Sequence, residues 1–184
     1  MTDSPILDLG CGRGELLELL QDSGYVVRGV DLNQVMVSLC RERGFDVAER
    51  DLLEYLSEQP DSTIGAIVCL HVIEHLSYEL LIAILAETVR VLKPGGLAIF
   101  ETPNPENVRV ASHTFYLDPT HRNPLPSALV KFLAEFQGLC RVSIVSLHPY
   151  PASLQVVGEN SSLLNRFNEY FYGPQDYAVI GYKS

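Results

Sequence analysis

The stretch Ile6-Leu7-Asp8-Leu9-Gly10-Cys11-Gly12-Arg13-Gly14-Glu15 decides the fold of this chain. Its first four residues, three of them apolar, predict a short strand, and the three glycines at alternate positions predict a tight turn. Leu16, Leu17 and Leu20 follow on one face of a predicted helix. A glycine-rich turn between a strand and a helix is typical of ligand sites at the carboxyl edge of an open α/β sheet.

The chain repeats this alternation of strand and helix up to a fifth predicted strand at 97–100. The fourth strand, 64–70, is an unbroken apolar run, which is typical of a strand buried on both faces of a parallel sheet. The sequence therefore predicts an α/β fold with a doubly wound, mostly parallel sheet and right-handed crossovers.

The segment 103–126 is rich in proline, asparagine and histidine and is too long for a plain connector. Long irregular segments inside compact domains usually carry function, so we expect a loop insert on the substrate side. Ser127 is expected to cap the helix that follows. The predicted buried face of that helix carries four apolar residues, Leu129, Phe132, Leu133 and Phe136.

Composition narrows the class of protein. The chain has 184 residues, 47% of them apolar, and 13 basic against 23 acidic residues give a net charge of −10. This length predicts a single domain over 1–184, and the acidic balance argues against a nucleic-acid partner. The four dispersed cysteines predict neither a zinc site nor disulfides. We find no signal peptide and no apolar run of membrane-spanning length, so a cytoplasmic location is predicted.

Acidic residues near the ends of the first three strands indicate what the glycine turn binds. Asp31 closes the second strand, where a carboxylate can accept from both hydroxyls of a ribose. Asp51 follows the third strand and can accept from an adenine amino group. Asp8 and Glu15 flank the turn, and they suit the ammonium and sulfonium groups of S-adenosylmethionine better than a diphosphate. An NAD-dependent oxidoreductase is the weaker alternative, because Glu15 replaces the third glycine of the dinucleotide motif.

Five segments together resemble class I S-adenosylmethionine-dependent methyltransferases: ILDLGCGRGE, VVRGVDLN, ERDLLEYL, IVCLHVIEHL and RVLKPGGLAIFETPNP. The resemblance covers nearly the whole chain. It implies a seven-stranded sheet with an antiparallel last strand, for which 176–182 is the candidate. It also implies S-adenosylmethionine as the cofactor and S-adenosylhomocysteine as the product. The residues that it places around the cofactor are Asp8, Gly10, Cys11, Gly12, Gly14, Asp31, Leu32, Asp51, Leu52, Leu70 and His71.

The glycine turn begins within ten residues of Met1, whereas the resemblance implies a helical segment ahead of it. That segment helps to cover the cofactor in the family. We therefore expect either that the chain is truncated at Met1 or that another part of it covers the cleft.

A narrower resemblance involves HTFYLDPTHRNPLP, residues 113–126, and YGPQDYAVI near the carboxyl end. Together they look like methyltransferases of polysaccharide assembly, including the chain-terminating methyltransferases of bacterial O-antigen synthesis. This implies methyl transfer to an oxygen of a glycan or phosphorylated glycan, with a small-molecule acceptor left open. The alternative is a non-catalytic cofactor-binding module in an assembly complex, against which the intact glycine turn argues.

Polar residues of the long insert are the candidates for catalysis, because this segment lies over the methyl group in such an architecture. His121 is the predicted general base and Asp118 the group that orients its ring. Tyr116 is expected to line the pocket as a third catalytic residue, and Arg122 and His75 to bind the acceptor. Alternatively, Asp118 and His121 are the ends of a hydrogen-bonded turn that only shapes the loop.

The run His71-Val72-Ile73-Glu74-His75 has the spacing of a metalloprotease motif. That motif requires a helix, whereas this run straddles the end of the fourth strand and a loop. Some small-molecule and RNA methyltransferases bind a divalent ion through ExxEH at this place, with a glutamate where this chain has His71. We predict no metal site and interpret these histidines as lining the cleft; a divalent ion at His71, Glu74 and His75 is the alternative.

Overall fold

A computed structural model describes residues 4–158 and 161–184, so the expectation about Met1 lies outside the described residues. The strands are Ile6–Leu9 (β1), Val27–Asp31 (β2), Val47–Glu49 (β3), Ile64–Leu70 (β4), Leu92–Pro103 (β5), Leu139–Pro149 (β6) and Pro174–Lys183 (β7). They form one sheet in the order β3-β2-β1-β4-β5-β7-β6. The first five are parallel, and β7 is antiparallel to both β5 and β6. The predicted sheet, with its antiparallel last strand, is confirmed.

Helices cover this sheet and connect its strands. They are Glu15–Asp22 (α1), Gln34–Glu42 (α2), Leu52–Glu58 (α3), Tyr78–Val91 (α4), Val108–Ser112 (α5), Ser127–Phe136 (α6) and Ser162–Tyr172 (α7). Five of them begin at a side chain that accepts backbone N–H hydrogen bonds, namely Asn33, Asp51, Ser77, Asn107 and Ser161. None of the helices among the described residues combines the length and apolarity needed to cross a bilayer.

The core is centred on β4, which lies between β1 and β5. Ile67 and Cys69 are fully buried, as the unbroken apolar run predicts. Leu81, Ile84 and Leu85 of α4 pack against the sheet in the same cluster. Because the first five strands point the same way, their carboxyl ends meet at one edge of the molecule.

Strand β5 is longer than predicted, because it begins at Leu92 rather than at Leu97. Ile64 pairs with Leu92 and Ala66 pairs with Leu97, so the intervening residues of β5 form a bulge. The residues Lys93-Pro94-Gly95-Gly96 follow the end of helix α4 at Val91 and form an irregular part of the next strand.

The predicted buried face of α6 is confirmed for Leu133, which is buried, and for Leu129, which packs against the core, but it is wrong for Phe132 and Phe136. Val130, Leu133 and Ala134 are buried, whereas Phe132 and Phe136 are 58% and 73% exposed. Seven of the ten residues of this helix are apolar, so periodicity alone cannot select the face that packs on β6 and β7. Ser127 does not cap the helix either, because its hydroxyl donates a hydrogen bond to the Glu106 carboxylate at 2.7 Å.

The insert 103–126 is tied to the sheet edge. It contains α5 and a 3₁₀ turn over Thr114–Leu117. The backbone N–H groups of Arg122 and Asn123 donate to the Glu74 carbonyl at 2.9 and 3.2 Å. The hydroxyl of Tyr177 on β7 donates to the Leu125 carbonyl at 2.8 Å. These bonds hold the insert against the carboxyl ends of β4 and β5.

Candidate functional site

Two groups of polar residues lie at the carboxyl edge of the sheet. The first, the glycine-loop side, comprises residues 8–15, 31–33 and 51–52 at the ends of β1, β2 and β3. The second, the histidine cluster, comprises Glu74 with His71, His75 and His121. The insert brings His121 from beyond β5 to the end of β4.

The glycine turn adopts backbone conformations that side chains would obstruct. Gly10 and Gly12 have φ angles of 76° and 51°, in the left-handed region that favours glycine. A Cβ on Gly10 would lie 2.4 Å from Cγ2 of Val72, so a methyl group there is excluded. At Gly12 no heavy atom lies within 4 Å of the Cβ position, so the backbone there is open to a close approach by a ligand.

Asp31 is held at the end of β2 by two backbone groups. The Gly12 N–H donates to Oδ2 at 2.9 Å, and the Asn33 N–H donates to Oδ1 at 2.8 Å. A carboxylate has about four acceptor sites, so each oxygen retains capacity for a further donor. Asp31 is therefore oriented by the glycine turn and can still accept hydrogen bonds from a ligand.

Asp8 lies beneath the turn with only 3% of its surface exposed. Burial, reinforced by the negative charges of Asp31 and Glu15, raises the pKa of Asp8 to about 7. None of the described residues donates a hydrogen bond to its side chain or forms an ion pair with it. A cationic ligand group beside Asp8 would favour its ionised form.

Asp51 is both a helix cap and a potential ligand contact. Its Oδ1 accepts from the N–H groups of Leu53 and Glu54 at 2.9 and 3.2 Å. Its Oδ2 has no hydrogen bond to the residues that the structure describes. The neighbouring Leu52 packs against the core, whereas Leu32, beyond β2, is largely exposed at the same edge.

Cys11 contributes its backbone rather than its thiol to this edge. The thiol is buried against Gly29, where a Cβ would lie 2.7 Å from Sγ. Burial raises the pKa of the Cys11 thiol, so it stays protonated at neutral pH. Gly14 is constrained in a related way, because its Cβ would lie 3.0 Å from the Cys40 sulfur.

Glu74 is the centre of the histidine cluster and is fully buried, with 0% of its surface exposed. The Thr102 hydroxyl donates to its Oε2 at 2.8 Å, while Oε1 has no hydrogen-bond partner. His71 follows Leu70 at the end of β4, and its ring lies 3.5 Å from Glu74 Oε1 and 3.3 Å from a Glu101 oxygen. Glu74 is the main cause of a raised pKa at His71.

The ring of His121 is oriented by a backbone group, not by Asp118 as predicted. His121 Nδ1 lies 2.6 Å from the Phe115 carbonyl oxygen, which can only accept, so Nδ1 donates. In the neutral ring Nε2 then carries the lone pair, and it lies 3.9 Å from Glu74 Oε1. The ring is 13% exposed and packs edge-on to His75 at a centroid distance of 4.7 Å.

Asp118 instead shapes the turn, as the alternative prediction had it. Its Oδ1 accepts from the Thr120 N–H at 2.8 Å and from the Thr120 hydroxyl at 2.6 Å. The same hydroxyl lies 2.9 Å from Nδ1 of His75. Asp118 therefore acts on His75 through Thr120. The correction arises because the turn directs the Asp118 side chain back onto its own backbone.

Two predicted acceptor contacts point to solvent. Tyr116 is 63% exposed and contacts Phe115 edge-on at 5.4 Å between centroids. Arg122 is exposed, and the only hydrogen bond that it forms with the described residues comes from its backbone N–H. Both lie beside the histidine cluster in sequence, but neither encloses a pocket.

Sequence reasoning missed three residues of this edge: Glu101, His148 and Asp176. His148 Nδ1 lies 2.9 Å from Asp176 Oδ2 and 3.9 Å from Glu101 Oε1. Asp176 also lines a small pocket of about 180 Å³ with Phe115 and Val110. The sequence did carry a signal for Glu101 and Asp176. An antiparallel β7 must begin where β5 ends, which places the start of β7 beside the end of β5.

Comparison with known proteins agrees with this architecture. The family described as "Methyltransferase domain" matches residues 7–100, just over half of the chain. A ubiquinone biosynthesis O-methyltransferase of Methylococcus capsulatus is 32% identical over 103 residues, which are 53% of this chain and 43% of that protein. A probable S-adenosylmethionine-dependent methyltransferase of Mycolicibacterium smegmatis is 32% identical over 135 residues, 72% of this chain and 51% of that protein.

Among solved structures, a SAM-dependent methyltransferase from Archaeoglobus fulgidus has a TM-score of 0.92 and 32% identity. The match covers 98% of this chain and 86% of that one. The chain therefore spans about half the length or less of the two curated relatives but most of this structural neighbour. The names of these relatives do not support the predicted role in polysaccharide assembly.

Proposed function

Because the chain belongs to the S-adenosylmethionine-dependent methyltransferase family, we propose that it transfers a methyl group from S-adenosylmethionine to an oxygen of a small-molecule acceptor. One observation carries the proposal. The glycine-loop side and the histidine cluster lie at the same sheet edge, where adjacent strands β1 and β4 end. A cofactor on the first can therefore face an acceptor on the second.

The residues of the glycine-loop side fit S-adenosylmethionine. The open approach at Gly12 accommodates a group against the backbone. Asp31 and Asp51 each retain acceptor capacity, which suits ribose hydroxyls and an adenine amino group. Asp8 and Glu15 supply negative charge next to the turn, which suits the ammonium and sulfonium groups. Leu32, Leu52, Leu70 and His71 would complete the predicted contacts.

S-adenosylmethionine, when bound, supplies an electrophilic methyl group on sulfur. The work of the chain is to place the acceptor oxygen in line with that methyl group, and such positioning can contribute ~7–11 kcal/mol. The insert supports this role, because its bonds to Glu74 and Tyr177 fix it over the end of β4.

The acceptor hydroxyl must lose its proton as the new C–O bond forms and the methyl–sulfur bond breaks. His121 is the proposed residue for this task, because its Nε2 carries a lone pair. Two routes are open to it: Nε2 can take the proton directly, or it can hold a cation that acidifies the hydroxyl. His75 and Arg122 remain the proposed acceptor contacts, and Tyr116 remains a proposed catalytic residue that lines the pocket.

The curated relatives indicate the type of atom that accepts the methyl group. The curated relatives named as O-methyltransferases favour an oxygen acceptor. A glycan or phosphorylated glycan, which the narrower resemblance implies, remains a prediction. The exposed guanidinium of Arg122 would suit an anionic group on such an acceptor.

Two measurements on the full chain test the proposal. Calorimetric titration with S-adenosylhomocysteine should show one site per chain, and NAD should give no binding heat. Transfer of labelled methyl from S-adenosylmethionine should then occur with phenols, catechols or sugars but require the acceptor hydroxyl. Cofactor binding without transfer to any of these classes would favour the non-catalytic module, and NAD binding in place of S-adenosylhomocysteine would refute the proposal.

A further inference from the structure

Three side chains of the histidine cluster converge on one point. Glu74, His75 and His121 each offer one ligand atom, and these atoms lie within 4.8 Å of one another. Glu74 and His75 come from the 3₁₀ turn that follows β4, and His121 comes from the insert. Bonds from the insert backbone to the Glu74 carbonyl hold the two segments together.

The first ligand atom is a buried carboxylate oxygen without a partner. Glu74 Oε2 is occupied by the Thr102 hydroxyl, whereas Oε1 accepts no hydrogen bond. His71 Nδ1, at 3.5 Å from Oε1, is at the limit of hydrogen-bond distance and forms none. A fully buried carboxylate is costly unless a positive charge or a donor compensates it. The nearest basic group among the described residues is His71, which lies within ion-pair distance but does not hydrogen-bond to Oε1, so this oxygen still has room to bind a cation directly.

The other two ligand atoms are imidazole lone pairs. The Thr120 hydroxyl donates to Asp118, so it accepts from Nδ1 of His75, and in the neutral ring Nε2 then carries the lone pair. The Phe115 carbonyl likewise accepts from Nδ1 of His121. Metal-binding histidines nearly always donate the second ring N–H to such an acceptor, which fixes the tautomer.

We propose that Glu74 Oε1, His75 Nε2 and His121 Nε2 bind one divalent first-row transition metal ion. Two imidazoles and one carboxylate suit zinc, iron, cobalt or manganese better than magnesium, which prefers oxygen ligands. Bonds of about 2.0–2.2 Å require the ligand atoms to be about 3.0–3.4 Å apart, so small side-chain movements close the site. The sequence pattern predicted no metal because it grouped His71 with Glu74 and His75 and omitted His121.

This proposal rests on the proposed methyl transfer and selects the second route for His121. Three protein ligands leave coordination positions open, and an acceptor hydroxyl can occupy one of them. Its proton then passes to solvent, and its oxygen forms the bond to the methyl carbon as the methyl–sulfur bond breaks. His121 is a metal ligand in this arrangement rather than the base.

A second set of potential ligands, His71, Glu101 and Asp176, lies nearby and serves as an internal comparison. Its members already pair with one another and with His148, which lies 2.9 Å from Asp176. None of these four side chains is fully buried, and each is within reach of solvent. This second set therefore contains no buried, unpartnered oxygen that an ion would have to neutralise.

The test uses the full chain, treated with a chelator and titrated with Co²⁺ alone and with Zn²⁺ alone. We expect one ion per chain by calorimetry, and visible ligand-field absorption for Co²⁺. His121→Gln and Glu74→Gln should weaken binding at least ~100-fold, and Thr120→Val, which removes an outer-shell acceptor, about 10- to 100-fold. His148→Gln, the matched control from the second set, should leave binding unchanged.

S-adenosylhomocysteine titration of every variant separates this proposal from the proposed function. Retained nucleoside binding shows that a variant is folded. His121→Gln, at a side chain that is partly exposed, provides the test should Glu74→Gln fail to fold. Absence of metal binding in the wild type, equal binding by His121→Gln, or loss in His148→Gln would overturn the metal site. In those cases unaltered nucleoside binding and methyl transfer would leave the proposed function standing, with His121 as the direct base.

Discussion

The glycine-loop side and the histidine cluster occupy the same sheet edge but are assembled in different ways. The first comes from 45 consecutive residues, Asp8 to Leu52, in which each strand leads directly into a turn and a helix. The second needs the end of β4, the 3₁₀ turn that follows it and the insert, which meet only in the folded protein. In the proposed function, the glycine-loop side binds the cofactor and the histidine cluster carries out the acceptor chemistry. We call this the division between the two regions.

The largest effect is expected at His121, where a substitution should impair methyl transfer but not cofactor binding. His121→Gln should lower the rate of methyl transfer about 10²- to 10⁴-fold, because the acceptor hydroxyl is no longer ionised. Its affinity for S-adenosylhomocysteine should stay near the wild-type value. Labelled-methyl transfer and calorimetry on the same preparation measure both, and a variant with wild-type turnover would show that His121 plays no part in the chemistry.

A substitution at Asp31 should instead impair cofactor binding. Asp31→Ala removes the acceptor for the Gly12 N–H and for the ribose hydroxyls, so affinity for S-adenosylhomocysteine should fall about 100-fold, as expected for lost hydrogen bonds to a charged group. Asp46→Ala removes the same charge from an exposed position before β3 and should have little effect. Equal losses in both variants would indicate a general charge effect and not a specific contact.

A comparison of two glycines measures the steric requirement of the turn independently of ligand binding. Gly10 and Gly24 have similar positive φ angles, 76° and 82°, but only a Cβ at Gly10 meets another side chain, Val72. Gly24→Ala should cost about 1–2 kcal/mol of unfolding free energy, and Gly10→Ala about 1–2 kcal/mol more. Denaturant unfolding measures both. Equal costs would mean that Val72 moves aside without penalty.

Asp8 should produce the smallest effect, a pH dependence. A cationic ligand lowers the pKa of Asp8 from about 7, so S-adenosylmethionine affinity should rise about five- to tenfold between pH 6 and pH 8. Asp8→Asn should abolish the dependence. A wild-type affinity that is flat over this range would show that Asp8 does not face the charged part of the ligand.

Asp8 should also make the stability of the ligand-free protein depend on pH. The folded-state pKa of Asp8 is raised above its unfolded value of about 4, so the folded protein binds the extra proton. Stability of the ligand-free protein should therefore fall as the pH rises from about 4 to about 7. Thermal unfolding at pH 5 and pH 8 should show a larger decrease for the wild type than for Asp8→Asn.

Sequence reasoning succeeded where the structure is local. The turn after β1 and the bounds of β4 follow from short-range rules on glycine and apolar runs. The same rules placed Asp31 and Asp51 at the sheet edge. Their positions are as predicted, whereas their contacts with the cofactor remain predictions.

Sequence reasoning failed where distant elements decide the outcome. Asp118 was paired with His121 because the two are close in the chain, but the turn chemistry of Thr120 takes up its carboxylate. The buried face of α6 depends on packing against β6 and β7, which the sequence of a mostly apolar helix does not encode. Glu101 and Asp176 join the site through antiparallel pairing between strands about 70 residues apart.

A crystal structure of the full chain with S-adenosylhomocysteine tests the central assignment most directly. We expect the amino-acid portion over the turn Gly10–Gly14, both ribose hydroxyls on the Asp31 carboxylate and the adenine amino group beside Asp51. A nucleoside bound elsewhere, or an Asp31 side chain directed away from it, would contradict the assignment of this edge as the cofactor site.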